Sequence, residues 1–430
     1  MSLPGVDVSR VFRDASPRAI ATLIRLLGNI DLAEEAVQEA FEIALVRWPR
    51  DGAPTNPGGW ITTTARNRAI DRLRREALRS NKEGAAHAMA AVDADQGAQT
   101  FVEDAGVGDD RLRLIFTCCH PAIGAEARVA LTLRTLCGLT TAEIAAAFGV
   151  PEPTMAQRLV RTKRKIAVAH IPYRVPAGHE LGARLRSVCK VIEVILIEGS
   201  HASSDASLVR VDLVAESVRL ARLLVELMPD EAEAIGLLAL CLASQARGTT
   251  KVGPDGGLVL LADQDRSQWD HALVSEAHDL VDRALRLRHV GPFQAKAAIA
   301  CLHGLAPDGA STDWPQIAAL YRILWDHEPT PSVGLNRVVA IGEADGPPAA
   351  LAALAALVGG ASETDRATLD RWHLRHGVAA DLHRRDGRAD LAGDAYRRAL
   401  ACATAPPADR TFLERRLADL DGSLVFGRDS

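Results

Sequence analysis

The chain has 430 residues; 48% of them are apolar, only 4% are aromatic, and the formal net charge is −5. The length predicts roughly three domains of ~150 residues each, and a composition rich in Ala and Leu favours packed helices over a β-sandwich. Seven scattered cysteines argue against a disulfide framework, and no apolar run reaches the ~18 residues of a membrane span. We therefore expect a cytoplasmic, all-α, multidomain protein that binds no membrane.

The first helices predicted along the chain form an acidic segment followed by a basic one. In DLAEEAVQEAFEIAL (31–45), carboxylates face outward around Val37, Phe41 and Leu45, and an amphipathic acidic helix of this kind is typical of a protein-docking surface. In WITTTARNRAIDRLRR (60–75), Asn67 lies among arginines beside an apolar face. This pattern fits contact with nucleic acid, but it also fits an ordinary solvated helix.

Residues 83–110 differ in composition from the helical segments before them, because they carry seven acidic side chains and no Lys or Arg. A segment with high net charge and many small residues predicts a flexible acidic linker. Residues 111–175 then form a second compact helical unit. The segment IPYRVPAG (171–178) at its end predicts a hinge, because its two prolines and glycine interrupt the helical pattern.

The segment LTTAEIAAAFGVPEPTMAQRLVRTKRK (139–165) predicts a helix-turn-helix. Thr140 and Glu143 form a capping box at its start, and Pro151 and Pro153 fall in the first turn of its second helix. That second helix separates an apolar face from a polar and basic one, which suits the major groove of DNA. The alternative is an ordinary helical hairpin with a solvated basic face.

Beyond residue 178 the chain reads as helical almost throughout. In segment 372–403, small and apolar residues recur at helical spacing on either side of Gly387, and segment 215–246 shows a weaker version of the pattern. Such helix pairs are similar to tetratricopeptide units, so we predict a solenoid of helical pairs. A single irregular helical domain is the alternative.

Two short clusters look like metal sites but fit them poorly. Cys118, Cys119 and His120 are adjacent, and neighbouring cysteines cannot easily place both sulfurs on one tetrahedral zinc ion. The segment LLADQDRSQWD (260–270) lacks the glycine and the terminal glutamate of a calcium loop, so we predict that its acidic residues cap helices. No nucleophile elbow or phosphate loop occurs. We therefore expect no catalytic site, no metal site and no cofactor.

The order of these parts resembles bacterial sigma factors of the sigma-70 family, in the extracytoplasmic-function group, which keeps only regions two and four. The resemblance covers about residues 10–170. Further segments, among them FTCCHPAIGAEARVALTLR and GPFQAKAAIACLH, are similar to the subgroup with a long, tetratricopeptide-like C-terminal extension. One departure is the stretch 197–200, which reads IEGS where that subgroup usually has NEGY.

The resemblance implies a division into four segments. Residues 1–82 correspond to region two, 83–110 to the acidic linker, 111–175 to region four with its helix-turn-helix, and 176–430 to a helical regulatory extension. It also implies two partners, core RNA polymerase, contacted at its β′ clamp and β flap, and promoter DNA. A small ligand or a protein partner is a further expectation for the extension.

Three groups of site residues follow from the resemblance. The docking set, on the helix that contacts the β′ clamp, comprises Glu34, Glu35, Gln38, Glu39 and Phe41. The −10 set, in which Asn67 matches the contact to an extruded base, comprises Arg66, Asn67, Arg68, Asp71, Arg72 and Arg75. The −35 set, on the second helix of the helix-turn-helix, comprises Thr154, Gln157, Arg158, Arg161 and Lys165.

The implied function is that of a sigma factor that binds core polymerase, directs promoter-specific initiation and is regulated in cis by its extension. One alternative is a stand-alone helix-turn-helix regulator with a helical sensor domain, which would bind DNA without polymerase. A second alternative is a repeat scaffold that binds proteins or peptides, with a vestigial N-terminal half.

Overall fold

A computed structural model describes residues 2–3, 6–80, 105–148, 150–176, 178–200, 207–251, 259, 261–402, 405 and 407–426. Within these ranges the chain is helical, apart from loops, short 3₁₀ turns and a pair of two-residue antiparallel strands, Ser2–Leu3 and Val6–Asp7. The predicted all-α class is therefore confirmed. Nowhere in the described part of the chain is a helix both long and apolar enough to cross a membrane.

The chain divides into two compact units, one of Met1–Gly199 with Arg222–Leu227, and one of Ser200–Ala221 with Met228–Ser430. Up to residue 200, the helices are α1 (Val8–Leu27), α2 (Ile30–Asp51), α3 (Pro57–Ser80), α4 (Ala105–Cys118), α5 (Ala125–Thr135), α6 (Thr141–Ala147), α7 (Glu152–Val168) and α8 (Gly178–Ser200).

Helices α1, α2 and α3 pack on one another as a three-helix bundle. Small side chains such as Ala40 and Ala65 are fully buried where the helices approach, and Leu23 and Ile61 fill the space between them. Asn29 begins α2 because its side chain accepts a hydrogen bond from the amide of Leu32 at 3.1 Å, as a helix N-cap does. This bundle carries the predicted docking set on α2 and the predicted −10 set on α3.

Helix α4 begins inside the stretch that the sequence predicted to be a flexible linker; residues 83–104 of that stretch lie outside the described residues. Asp110 is only 2% exposed, and its carboxylate accepts a hydrogen bond from Arg25 of α1 at 2.9 Å. The Tyr173 hydroxyl lies 2.7 Å from the carbonyl oxygen of Asp110 and 2.9 Å from that of Ala21. The end of the predicted linker and the predicted hinge are thus anchored to α1.

The first compact unit continues beyond the predicted boundary at residue 176. In α8, Arg184 donates to the carbonyl oxygen of Phe116 at 3.0 Å, and the Ser187 hydroxyl donates to that of Cys119 at 2.9 Å. These bonds satisfy carbonyl groups at the C-terminal end of α4, which an α-helix leaves without partners of its own. Helix α8 therefore completes the unit that contains the helix-turn-helix.

The helices that follow are α9 (Ser207–Leu227), α10 (Ala232–Ala246), α11 (His271–Arg286), α12 (Pro292–Leu305), α13 (Trp314–His327), α14 (Pro331–Ala344), α15 (Pro347–Gly360), α16 (Glu363–Arg371), α17 (His373–Arg385), α18 (Ala389–Ala401) and α19 (Pro407–Phe426). From α10 onward, most packing is between helices close together along the chain, as in helical repeat proteins. The predicted pair in 372–403 is formed by α17 and α18, with Gly387 at a positive φ of 74° in the turn.

Local caps explain where these helices begin. Asp270 accepts hydrogen bonds from the amides of Ala272 and Leu273 and starts α11, while Asp265 caps the short turn before it. The capping role predicted for the acidic residues of LLADQDRSQWD is therefore confirmed for Asp265 and Asp270. Buried Arg266 reinforces this segment, because its guanidinium donates to the carbonyl oxygen of His303 at 2.8 Å. A proline in the first turn recurs in the four helices α12 to α15, where its missing amide costs nothing.

Candidate nucleic-acid interface

The predicted helix-turn-helix is present as α6 and α7. The Thr140 amide donates to the Glu143 carboxylate at 2.7 Å, and the Glu143 amide donates to the Thr140 hydroxyl at 3.2 Å. This reciprocal pair is the predicted capping box. Helix α7 follows Pro151, and its apolar face is buried through Met155 and Leu159. The sequence signals for cap, turn and buried face are all confirmed.

The outward face of α7 carries the −35 set. Thr154, Gln157, Arg161 and Lys165 are exposed and follow one another at three- and four-residue intervals, which places them on one side of the helix. Arg158 is half-exposed and makes an ion pair with Glu126 of α5 at 3.1 Å. An exposed pair of this kind contributes about 0–1 kcal/mol, so a phosphate can replace Glu126 at little cost.

The −10 set on α3 divides into outward and partnered residues. Asn67, Arg68, Asp71 and Arg75 are exposed, and they recur at helical spacing on one face. Arg66 and Arg72 are half-buried. Arg72 makes an ion pair with Glu35 of α2, so a residue of the −10 set and a residue of the docking set are partners of one another. Half-buried Trp60 packs edge-on against buried Trp48, with ring centroids 5.5 Å apart.

The docking set on α2 also contains both exposed and buried residues, so only some of its members are accessible in the structure. Glu35 and Gln38 are exposed and Glu39 is half-exposed. Phe41, in contrast, is 5% exposed and packs on Phe12, with ring centroids 4.7 Å apart. Phe41 therefore belongs to the core in this state, because its side chain fills the space between α1 and α2, and Glu34 is buried as well.

Three further residues extend the exposed face of α2. Glu42 is exposed, Leu45 is 41% exposed and Val46 is 59% exposed. With Glu35 and Gln38 they form a stripe at three- and four-residue spacing, which we call the α2 stripe. The sequence prediction placed Leu45 on the inward face. The signal that points outward is the helical spacing from Glu35 through Gln38 and Glu42, and Leu45 continues it.

A single lysine links the reading helix α7 to the docking helix α2. Lys163 donates to the Glu34 carboxylate at 2.6 Å and to the Asp31 carboxylate at 2.8 Å. Its side chain is 13% exposed and that of Glu34 is 9% exposed. Lys163 lies two residues from Arg161, which corresponds to about 200° around a helix. The contact with α2 therefore leaves the outward face of α7 open.

The Lys163 contact joins charged groups, and it leaves one oxygen of the Glu34 carboxylate without a hydrogen bond. Burial alone would lower the pKa of Lys163, but the neighbouring Glu34 and Asp31 carboxylates outweigh it and hold this pKa above its ordinary value. On the other side, Oε1 of Glu34 is buried and has no hydrogen-bond partner in the described part of the chain. An unsatisfied buried carboxylate oxygen is costly. The contact therefore combines a favourable ion pair with the uncompensated burial of one carboxylate oxygen.

The Cys118-Cys119-His120 cluster is part of the core of the first unit. Both thiols are buried, and their sulfur atoms lie 3.2 Å from the Thr135 hydroxyl and 3.7 Å from the Thr132 hydroxyl, respectively. Burial raises the pKa of both thiols, to about 11 for Cys119. Two protonated thiols with hydroxyl partners are structural side chains, in line with the interpretation made from the sequence.

Comparison with protein families gives three matches along the chain. Residues 11–79 match the family described as sigma-70 region 2, and residues 113–166 match the family described as sigma-70, region 4. Residues 184–285 match a family of unknown function (DUF6596). The first match coincides with the α1–α3 bundle. The second covers α4 to α7, which include the helix-turn-helix. The third begins within α8.

Individual relatives support the same division. An uncharacterised protein of Rhizobium meliloti is 39% identical over 399 residues, which cover 93% of this chain and 92% of that protein. The probable ECF RNA polymerase sigma factor SigI of Mycobacterium tuberculosis is 28% identical over 41% of this chain, and the match spans 60% of SigI. The ECF RNA polymerase sigma factor SigK of Mycobacterium ulcerans is 27% identical over 36% of this chain and 80% of SigK.

No solved structure matches the chain significantly. The two region matches, their order and the sigma factors among the relatives agree with the capping box, the exposed polar face of α7 and the acidic surface of α2. The chain belongs to the extracytoplasmic-function group of the sigma-70 family of RNA polymerase sigma factors, and it carries a long helical C-terminal extension.

Proposed function

We propose that this protein binds core RNA polymerase through α2, directs it to a specific set of promoters through α3 and α7, and is controlled by its own extension. The observation that carries the proposal is the presence of both sigma-70 regions in order, each with the charge that its partner requires. The stand-alone regulator, which needs no polymerase, gives no reason for an acidic stripe on α2. The repeat scaffold gives no reason for the −35 set.

Core binding rests on the α2 stripe. Its acidic residues Glu35 and Glu42 attract a basic surface such as that expected of the β′ clamp, and exposed Val46 supplies an apolar contact at its end. Charge complementarity speeds association, and a desolvated apolar anchor slows dissociation. In this proposal, region four contacts the β flap. The polymerase then fixes the distance between region four and α2 in the complex.

Promoter reading is shared between two helices. The exposed side chains of the −35 set enter the major groove of duplex DNA, where Gln157 and Arg161 hydrogen-bond to base edges and Lys165 holds a phosphate. Asn67 contacts an unpaired base of the melted −10 element, and Arg68 and Arg75 hold the backbone of that strand. Neither group provides a catalytic site, since the polymerase carries out the chemistry.

Core binding has to compete with the Lys163 contact. Glu34 and Asp31 flank the α2 stripe, and Lys163 occupies them in the free protein. A basic clamp surface that approaches α2 can replace Lys163 and release α7. We infer that the free sigma factor is closed at this contact and that core polymerase selects the open form.

The extension is proposed to act in cis. Residues 171–430 contain 28 Lys and Arg against 35 Asp and Glu, whereas residues 1–170 contain 22 against 20. An acidic body that is covalently joined to basic reading helices has a high effective concentration near them. It can shield them in the free factor or position them in the holoenzyme.

Run-off transcription with core polymerase tests the whole proposal. The full chain should support initiation at a subset of promoters, whereas a stand-alone regulator or a scaffold would support none. Truncation after Ser200, and not after residue 178, keeps Arg184 and Ser187 and so preserves the hydrogen bonds between α8 and the end of α4. If the truncated and full-length proteins transcribe equally in vitro and in cells, control by the extension is excluded. A gain or a loss of activity reveals its direction.

A further inference from the structure

A cavity of about 540 Å³ lies inside the second compact unit. This volume falls within the ~300–1,000 Å³ typical of pockets for small ligands. Its wall is contributed by α12 to α14, by α17 to α19 and by the short turn Leu261–Asp263, and four aromatic side chains line it: Trp314, Tyr321, Tyr396 and Phe412. The cavity is separate from α2, α3 and α7, so the functions assigned above leave it unexplained.

Uncharged hydrogen-bonding groups line part of this cavity. His303 is 6% exposed, and the Nδ1 atom of its ring is buried without a hydrogen-bond partner among the described residues. Burial and the nearby Arg247 and Arg266 lower the pKa of His303 to about 4, so the ring is neutral near pH 7. Asn336 is exposed on the same wall, and its side-chain amide makes no hydrogen bond within the described part of the chain.

Most charged side chains of the wall neutralise one another. Arg384 pairs with Asp381 at 2.7 Å, Arg385 pairs with Glu343, and His373 bonds to Asp409 at 2.8 Å. Each of these pairs keeps its charge within the protein, so none of them requires a ligand.

Two charges of opposite sign remain on the wall without an ion pair among the residues that the structure describes. Asp263 lies in the short 3₁₀ turn Leu261–Asp263 and is exposed. Arg416 lies over the ring of Phe412, 5.3 Å from its centroid. Both side chains line the cavity.

We propose that this cavity binds a short peptide, with a cationic group of the peptide at Asp263 and a carboxylate at Arg416. The chemistry of the wall follows the chemistry of such a peptide. Backbone amides hydrogen-bond to His303 and Asn336, apolar side chains contact the aromatic rings, and the two terminal charges meet the two unpaired residues. The peptide site lies in the extension alone. Any effect of the bound peptide on transcription depends on the function proposed above.

The probe is an equimolar mixture of tetrapeptides that begin with lysine, end with leucine and carry Leu, Val, Phe or Tyr at the two middle positions. Equilibrium dialysis against the full-length protein, followed by mass spectrometry, measures the peptides retained. The Arg416→Ala substitution and amidation of the peptide C-terminus should each reduce the affinity about tenfold, because each removes the same charge-assisted contact. Acetylation of every amine of the peptide should have a similar effect through Asp263.

Two variants serve as a second test and as a control. Asn336→Ala should reduce affinity several-fold and should not disturb folding, because this side chain is exposed and makes no hydrogen bond in the described structure. Arg398→Ala removes an exposed arginine of α18 that does not line the cavity, and it should leave retention unchanged. Circular dichroism checks that all three variants keep the helical content of the parent protein.

Three results would overturn the proposal: no peptide is retained, the amidated peptides bind as well as the free acids, or Arg416→Ala binds normally. Binding of 8-anilinonaphthalene-1-sulfonate that depends on Arg416, without retention of any peptide, would identify a small amphipathic anion as the ligand in its place. The dialysis contains no polymerase. Its failure therefore leaves the sigma activity untouched, and a failure of run-off transcription leaves peptide binding untouched.

Discussion

Lys163 of the reading helix and Glu34 of the docking helix are 2.6 Å apart, although 129 residues separate them along the chain. The side chains of both are largely shielded from water, so salt screens this pair less than it screens a surface pair. In the function proposed above, this contact couples core binding at α2 to the release of α7. It connects the two functions of a sigma factor within one small set of atoms.

The first prediction concerns this contact. Lys163→Ala removes a charge-assisted hydrogen bond worth roughly 1.5–3 kcal/mol, so the closed form loses population and the apparent affinity for core polymerase rises about tenfold. Fluorescence titration of core polymerase in the absence of DNA measures this. Lys165→Ala, an exposed lysine of the same helix, is the matched control. Equal effects of the two substitutions would show that the contact does not limit core binding.

The second prediction concerns the docking set and the α2 stripe. The double substitution Glu35→Lys plus Glu39→Lys reverses the charge on the docking surface, so co-purification with core polymerase should be lost while helical content stays constant. Val46→Asp should weaken the complex as well, because it places a charge at an apolar contact. Asp51→Lys, at the exposed C-terminal end of the same helix, should be tolerated. Normal co-purification of the double variant would refute docking through α2.

The third prediction separates the two promoter elements. Arg161→Ala should cost roughly 1–3 kcal/mol of discrimination at one position of the −35 element, and Arg158→Ala should have a smaller effect because Glu126 already occupies this guanidinium. Asn67→Ala should alter preference at one position of the −10 element only. Transcription from a library of promoters randomised at both elements resolves these effects. Val160→Ala, an exposed neutral position of α7, should leave every preference unchanged.

The fourth prediction concerns the anchor at Tyr173. Tyr173→Phe leaves the carbonyl oxygens of Asp110 and Ala21 without this hydroxyl partner, so the free energy of unfolding of the first unit should fall by roughly 1–3 kcal/mol. Urea titration of the protein truncated after Ser200 measures it. In the full chain, Tyr321→Phe is a control, because the Tyr321 hydroxyl has no hydrogen-bond partner among the described residues. A Tyr173→Phe variant as stable as its parent would mean that residues 171–178 are not anchored in solution.

The fifth prediction concerns thiol reactivity. Six cysteines are buried and Cys402 is partly exposed, so iodoacetamide at pH 8 should label Cys402 within minutes and the other six only in denaturant. The raised pKa of Cys119, about 11, leaves very little thiolate at this pH, and the thiolate is the reactive form. Rapid native labelling of Cys118 or Cys119, measured by peptide mass spectrometry, would show that this part of the core opens.

Local patterns were predictable from the sequence, whereas contacts between distant segments were not. The capping box of Thr140 and Glu143 depends on residues three positions apart, and the structure confirms it. The partners of Lys163 lie in another helix, and no spacing rule indicates them. The same reason explains Asp110, which composition assigned to an acidic linker, although Arg25 and Tyr173 hold it within the first unit.

Side-chain direction on a helix was predictable only where the pattern was strong. On α7, apolar and polar residues alternate cleanly, and the buried and exposed faces were assigned correctly. On α2, small apolar residues occur almost all round the helix, so the inward direction of Glu34 and the outward direction of Leu45 were missed. These positions depend on how tightly α1 and α3 pack against α2, which is information that a single helix does not contain.

The inclusion of α8 in the first compact unit has a consequence for synthesis on the ribosome. The first unit uses residues up to Gly199 and a short stretch that ends at Leu227, and at about 5–20 residues per second the remaining residues to 430 take roughly 10–40 s to translate. Helix formation and domain folding are far faster than this. The nascent chain therefore has time to close Lys163 onto Glu34 before the extension has been made.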